Sequence, residues 1–409
     1  MEAAISKTDQ AKAGGQFSRE HQLLLCCARV HLTAKDRERL RQLAGEALDW
    51  DELFREIRRQ CIVPLVYRHL HAECGDLVSS AVLDELRDEY LRSAARSMFL
   101  TAELCAITRL LEEGGVAPLP YKGPALALQA YGDVALRTFT DLDVLVHRND
   151  VGKAREILLT RGYSSYYELS PAQDRALLKL EHNLPLVDPT GDFLVELHWR
   201  VAPTAFTFPI VMEGLWDRAT RVALGGTAVR AMAVEDLLLV LPVHGARHAW
   251  SAVEWITGIA ELIRRTEHID WRRVIESADR LRVGRIVRLG LALADQLLET
   301  PIPDQVALWI RADRRITRLV DWVAARLFTP HDSETAAEQW AVFQFEMAVK
   351  DGPRQRIADG LRRLAHPSLN DWRAAPIPDA LFPLYYLIRP SRLFARQLRH
   401  LVGRRAEAP

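Results

Sequence analysis

YKGPALALQAYGDVALRTFTDLDVLV, residues 121–146, is the stretch on which the reading turns. Side chains two apart on a strand share a face, so Asp141 and Asp143 stand side by side while Leu142, Val144 and Val146 enter a core. Adjacent carboxylates repel unless a cation lies between them. Hard divalent ions suit such oxygens, and Mg²⁺ takes one or two carboxylates together with substrate phosphates. Upstream, Lys122-Gly123-Pro124 marks a junction between a short strand and a helix. Glycine lets the backbone approach a ligand, proline suits a first helical turn, and the free amides of a helix start favour anions. Lys122 adds a point charge for phosphate. Arg137, four residues before Asp141, offers a forked donor to a triphosphate or an acidic acceptor.

Downstream, VDPTGDF at 187–193 reads as a hairpin turn between antiparallel strands, and DFLVELHW places Glu196 on the second of them. If that strand neighbours the D-x-D strand, three acids meet on one patch. Such a patch can hold two metal ions about 3.5–4 Å apart. His198 shares the face of Glu196, as a proton-transfer group, a pocket wall or a structural hydrogen bond. His182 precedes the first hairpin strand. His244 and His248 lie four apart on a helix, but HGARH lacks the glutamate of a zinc-protease motif, which favours a packed or substrate-lining pair. These four histidines are the candidate acceptor pocket, while Trp250 and Trp255 read as core.

The flanks are helical. Three- and four-residue apolar spacing runs through 18–113, short apolar runs alternate with helical patterns over 114–208, and 209–409 returns to helix with breaks at Pro301, Pro330, Pro353 and Pro376. The expected fold class is α+β: a mostly α-helical chain with a small α/β core, a short mixed sheet, between helical regions. Residues 1–17 are expected to be a disordered tail. Pro118 and Pro120 require the strand before Lys122 to be short, at an edge or irregular. LDWDELF and IDWRRVI share an Asp-Trp pair, read as common capping chemistry rather than duplication.

A glycine turn opening a helix, then D-x-D on a strand and a lone acid on a further strand, resembles the nucleotidyltransferase fold of the DNA polymerase β superfamily. The run KGPALA, YGD, LR, DLDVLV, RGY and VELHW more specifically resembles a bacterial family of uncharacterised nucleotidyltransferases, as do HQLLLCCAR and PLYYLIRP in the flanks. The resemblance implies that Asp141, Asp143 and Glu196 are metal ligands and the catalytic acids, with Glu196 orienting or deprotonating the acceptor. It further implies phosphate contacts from Lys122 and Gly123, although Lys-Gly stands where Gly-Ser is usual in the superfamily. Gly258 stands where the narrower family commonly has an acid.

Composition bounds the partners. Of 409 residues, 54 are basic and 54 acidic, so the neutral chain is a poor candidate for binding large nucleic acid. Only seven of those basic residues are lysines, which sets Lys122 apart. Five cysteines without C-x-x-C read as reduced thiols, and the polar first sixteen residues and the lack of a long apolar run give a cytoplasmic expectation. Arg389 to Arg405 carries six arginines and no acid. It reads either as an amphipathic helix on an anionic membrane or, better matched to the neutral chain, as a terminal helix packed on the last domain. The expected activity is Mg²⁺-dependent transfer of a nucleoside monophosphate from an NTP to an acceptor hydroxyl or phosphate with release of pyrophosphate, using two Mg²⁺ ions with Mn²⁺ as the alternative. The acceptor is a sugar, peptide, protein or small metabolite. A catalytically silent binding or scaffold protein and a γ-phosphoryl-transferring kinase are the alternatives, the latter weakened by the absence of GxxxxGK[ST].

Overall fold

The computed structural model describes residues 17–204, 206, 214–329 and 335–393. Caps set many of its helices. Asp49 Oδ1 accepts from the Glu52 amide at 2.9 Å to open helix Trp50–Arg59, and Asp270 Oδ1 accepts from the Arg273 amide at 3.0 Å to open helix Trp271–Arg280. The repeated Asp-Trp is thus capping chemistry. Of the expected N-terminal tail, residues 1–16 lie outside the described residues, whereas Phe17 packs edge-on to Phe328 with ring centroids 5.4 Å apart. In the basic tail Arg389 and Arg392 both pair with buried Asp371; from Phe394 onward, and at Pro330, the expectations fall outside the described residues.

Five strands, β1 (Leu119–Pro120), β2 (Asp141–Leu145), β3 (Ser164–Ser165), β4 (Asn183–Val187) and β5 (Leu194–His198), form one mixed sheet in the order β1-β2-β5-β4-β3. Only β2 and β5 pair in parallel. The β4–β5 hairpin closes as expected: Asp188 accepts from the amides of Thr190 at 2.9 Å and Phe193 at 2.8 Å. β1 is two residues long and lies at the edge, where proline's missing donor costs no ladder bond. The fold is α+β, mostly helical around this small sheet.

One stretch departs from the expected helical C-terminal region. Residues 220–231 form a second hairpin, β6 (Thr220–Leu224) and β7 (Thr227–Ala231), turning at Gly225 and Gly226 with φ of 54° and 79°. Two consecutive positive φ angles make a two-residue hairpin turn, and Gly-Gly is a sequence signal for it.

The two faces of the main sheet bury against different partners. Leu142, Val144, Val146, Val195 and Leu197 join the second half of helix Ser80–Glu113 and helices Val151–Thr160 and Pro171–Leu180 in one core. Tyr121 and Leu145 join the other, which merges helices preceding the sheet with Val234–Arg247, Val253–Arg265, Gly284–Leu298 and Ile316–Leu327. Helices before the sheet and helices between Val234 and Leu327 therefore build one helical roof. Gln60 ties it: its Oε1 accepts from the Val253 amide at 2.7 Å and its Nε2 donates to the Leu327 carbonyl at 2.8 Å. No helix among the described residues is long and apolar enough to cross a membrane.

Candidate active site

The site begins with a backbone turn. After β1 the chain reaches Lys122 in extended conformation, then Gly123 at φ +52°, where helix Gly123–Leu126 starts with Pro124 in its first turn. A side chain at Gly123 would be strained by that φ and would lie 3.5 Å from the Asp141 carbonyl. The turn directs Lys122 Nζ to Asp143 Oδ1, 2.6 Å away.

Parallel pairing of β2 and β5 sets Asp143 opposite Glu196 and Leu145 opposite His198. His198 Nε2 lies 2.9 Å from Asp143 Oδ1 and 3.0 Å from Glu196 Oε2, and its Nδ1 is 3.3 Å from the Tyr121 hydroxyl. Burial opposes charge on all three groups, but the mutual contacts outweigh it. Lys122 and His198 together hold the Asp143 carboxyl well below its usual range, His198 lowers Glu196, and the two carboxylates raise His198. Asp141 lines the same cavity. Burial, reinforced by repulsion from Asp143, raises its carboxyl to about 6.

The remaining walls come from the helical roof and enclose a cavity of about 380 Å³. Arg137 borders it, but its guanidinium is ion-paired with Glu254 of helix Val253–Arg265, and both side chains are buried. Its Nη1 also donates to the Gly123 carbonyl at 3.4 Å, so the pair braces the turn that carries Lys122. His182 lies against His198 with ring centroids 5.5 Å apart, and its Nε2 accepts from Arg247 Nη1 at 3.0 Å. His244 and His248 pack on each other at 4.7 Å and on Trp255 at 5.4 and 5.2 Å. Burial lowers the pKa of His182, His244 and His248, with Arg247 or Lys122 adding to it, and His248 falls to about 4.

All ten candidate residues thus border one cavity. Trp250 is core, as expected, whereas Trp255 lines the cavity. Glu254, Arg247 and Cys61 also line it without having been singled out. The signal for Arg247 was present in HGARH, since His244, Arg247 and His248 at i, i+3 and i+4 share one helix face. All five cysteines are free, and four are buried.

The donor set fits a divalent cation. Ligand atoms of Asp143, Glu196 and His198 all lie within 4.8 Å of one another. Asp143 Oδ1 already accepts from both an ammonium and an imidazole N–H, so this is a seat for positive charge. Two carboxylate oxygens suit a hard divalent cation, and the imidazole nitrogen beside them is a further donor.

Residues 46–299 match the model of a protein family described as uncharacterised nucleotidyltransferase. The chain belongs to this nucleotidyltransferase family. The matched span contains every residue lining the cavity, from Cys61 to Trp255. Among solved structures, an antigenic nucleotidyltransferase-like protein from Paracoccidioides brasiliensis is similar at 15% identity and a TM-score of 0.34, over 54% of this nucleotidyltransferase chain and 94% of its own. Comparison with curated proteins gives no match.

Proposed function

We propose that this member of the family transfers a nucleoside monophosphate from an NTP to an acceptor hydroxyl or phosphate, releasing pyrophosphate. The observation that carries the reading is the opposition of Asp143 and Glu196 on neighbouring parallel strands, with Lys122 reaching Asp143 from the glycine turn. Asp143 and Glu196, with Asp141 or His198 beside them, would hold Mg²⁺ or Mn²⁺. Such a cation, when bound, would supply charge neutralisation at the triphosphate and at the α-phosphorus. Lys122 exchanges its contact with Asp143 for a phosphate oxygen, and the Gly123 turn lets backbone approach the same group. Glu196 orients the acceptor and takes its proton. An acceptor oxygen forms a bond to the α-phosphorus, the bond from that phosphorus to the α,β-bridging oxygen breaks, and pyrophosphate leaves. Positioning and fixed charge supply the catalysis. The cytoplasm, which holds both NTPs and Mg²⁺, is the proposed location.

The test uses each of the four NTPs labelled at the α- or the γ-phosphate, with Mg²⁺ and the purified chain. Transfer of α-label with pyrophosphate release, lost in Asp143→Ala, supports the reading. Transfer of γ-label would indicate a kinase. Carboxylate-independent calorimetric traces with Mg²⁺, together with no turnover, would indicate a silent scaffold.

A further inference from the structure

Four of the residues lining the cavity, Lys122, Arg137, His198 and Arg247, are its cationic groups, and three are already matched to an acid. Lys122 lies on Asp143, Arg137 on Glu254, and His198 between Asp143 and Glu196. Arg247 differs. Among the described residues no carboxylate lies within ion-pair distance of its guanidinium, and its hydrogen-bond partner is the ring of His182, at 3.0 Å. Glu181 and Glu196 act on it only at longer range. A guanidinium has five N–H donors in a fixed fork, so one bond to a histidine leaves the fork mostly open.

The geometry also fixes the state of His182. Arginine can only donate, so Nε2 must present a lone pair and the ring is neutral, with its hydrogen on Nδ1, 3.7 Å from Glu181. His182 therefore orients the fork without adding a charge. His244 and His248, on the same helix face as Arg247, are engaged with Trp255, and burial disfavours their charged forms.

The fork is rigidly mounted. Arg247 ends helix Val234–Arg247, and the chain then turns through Ala249 and Trp250 at φ of 51° and 55°. The Trp250 ring is gripped between Gly245 and Gly290, where added Cβ atoms would come within 2.6 and 3.1 Å of it.

We propose that Arg247, oriented by His182, is the cavity's receptor for a phosphate group of a substrate, either the triphosphate tail of the NTP or a phosphate on the acceptor. The proposal rests on the nucleotidyltransferase reading and adds the residue that selects phosphorylated over unphosphorylated ligands. A planar fork suits a phosphate through paired N–H bonds, and such charge-assisted bonds are among the strongest a side chain makes.

The test is equilibrium binding without divalent ions, which separates recognition from turnover. Wild type, Arg247→Gln and Arg247→Lys are titrated with ATP, adenosine and inorganic tripolyphosphate, then with inorganic phosphate in the presence of saturating ATP, and each protein is melted. If the tail is the source, Arg247→Gln weakens ATP and tripolyphosphate by about tenfold or more and leaves adenosine unchanged. If the acceptor is the source, only the inorganic phosphate arm weakens. In both cases Arg247→Lys retains part of the binding, and Arg247→Gln melts no lower than wild type because no ion pair was removed. Unchanged binding in every arm overturns the proposal, as does a loss of binding that follows a lowered melting temperature and is not relieved by lysine. If wild type binds none of the four probes the proposal fails, whereas the nucleotidyltransferase reading fails only if no α-label is transferred from any of the four NTPs with Mg²⁺, which distinguishes the two failures.

Discussion

Asp143 and Glu196 face each other across two parallel strands, and a single nitrogen, His198 Nε2, lies 2.9 Å from one and 3.0 Å from the other. Two acids sharing one imidazole N–H form an arrangement that a cation can take over. Asp143→Asn keeps the shape and removes the charge. Turnover with Mg²⁺ is expected to fall by about a hundredfold or more, on the scale of losing a preorganised electrostatic contact, and calorimetric Mg²⁺ or Mn²⁺ binding to weaken with it. Pyrophosphate release under saturating NTP is the measurement.

Arg137 and Glu254 are both buried and answer each other's charge. Glu254→Gln leaves the guanidinium without its counter-charge and is expected to cost about 3 kcal/mol or more. A hydrophobic double replacement, Arg137→Met with Glu254→Leu, is expected to recover much of that loss. Urea denaturation of Arg137→Met, Glu254→Leu and the double separates the outcomes, since independent roles would give additive losses.

Gly245 sits inside a helix, where alanine ordinarily adds about 1 kcal/mol of stability. Here the new methyl would stand 2.6 Å from the Trp250 ring. Gly245→Ala is therefore expected to destabilise by about 1–3 kcal/mol, as overpacking does, and to weaken ligand binding by moving His244 and Arg247. A higher melting temperature in the variant would contradict the packing described.

In the absence of divalent ions the apoprotein should show an acid-side dependence traceable to Asp141. Burial and the neighbouring Asp143 raise its carboxyl to about 6 from 3.8. The folded state thus holds that proton more tightly than the unfolded state. Its contribution to stability is present below pH 4 and is lost as pH rises to about 6. Asp141→Asn is expected to flatten this window and to be more stable than wild type at pH 7, by no more than about 3 kcal/mol. Denaturation curves at pH 4, 5, 6 and 7 measure it.

Local alternation made much of the site legible. DLDVLV and VELHW each set acids on one strand face and aliphatics on the other, and VDPTGDF marked the turn that brings β4 onto β5. Lys122-Gly123-Pro124 gave the strand-to-helix junction because glycine and proline have strong conformational meaning. Glu254 and Trp255 were not legible, since a helix beginning at Val253 has apolar residues on several faces and only tertiary packing decides which face meets the cavity. Arg247 was hidden by an arginine-rich composition. The β6–β7 hairpin was hidden in a stretch assigned to helix, although Gly225-Gly226 announced it.

Gln60 has one further consequence. Because its amide both receives the first N–H of the helix carrying Glu254 and Trp255 and reaches Leu327, the segment that precedes the sheet in sequence holds its opposite wall in place. Trimming away the segment before the sheet would strand that N–H and release the wall, so changes to the cavity belong in side-chain replacement on the intact polypeptide rather than in truncation.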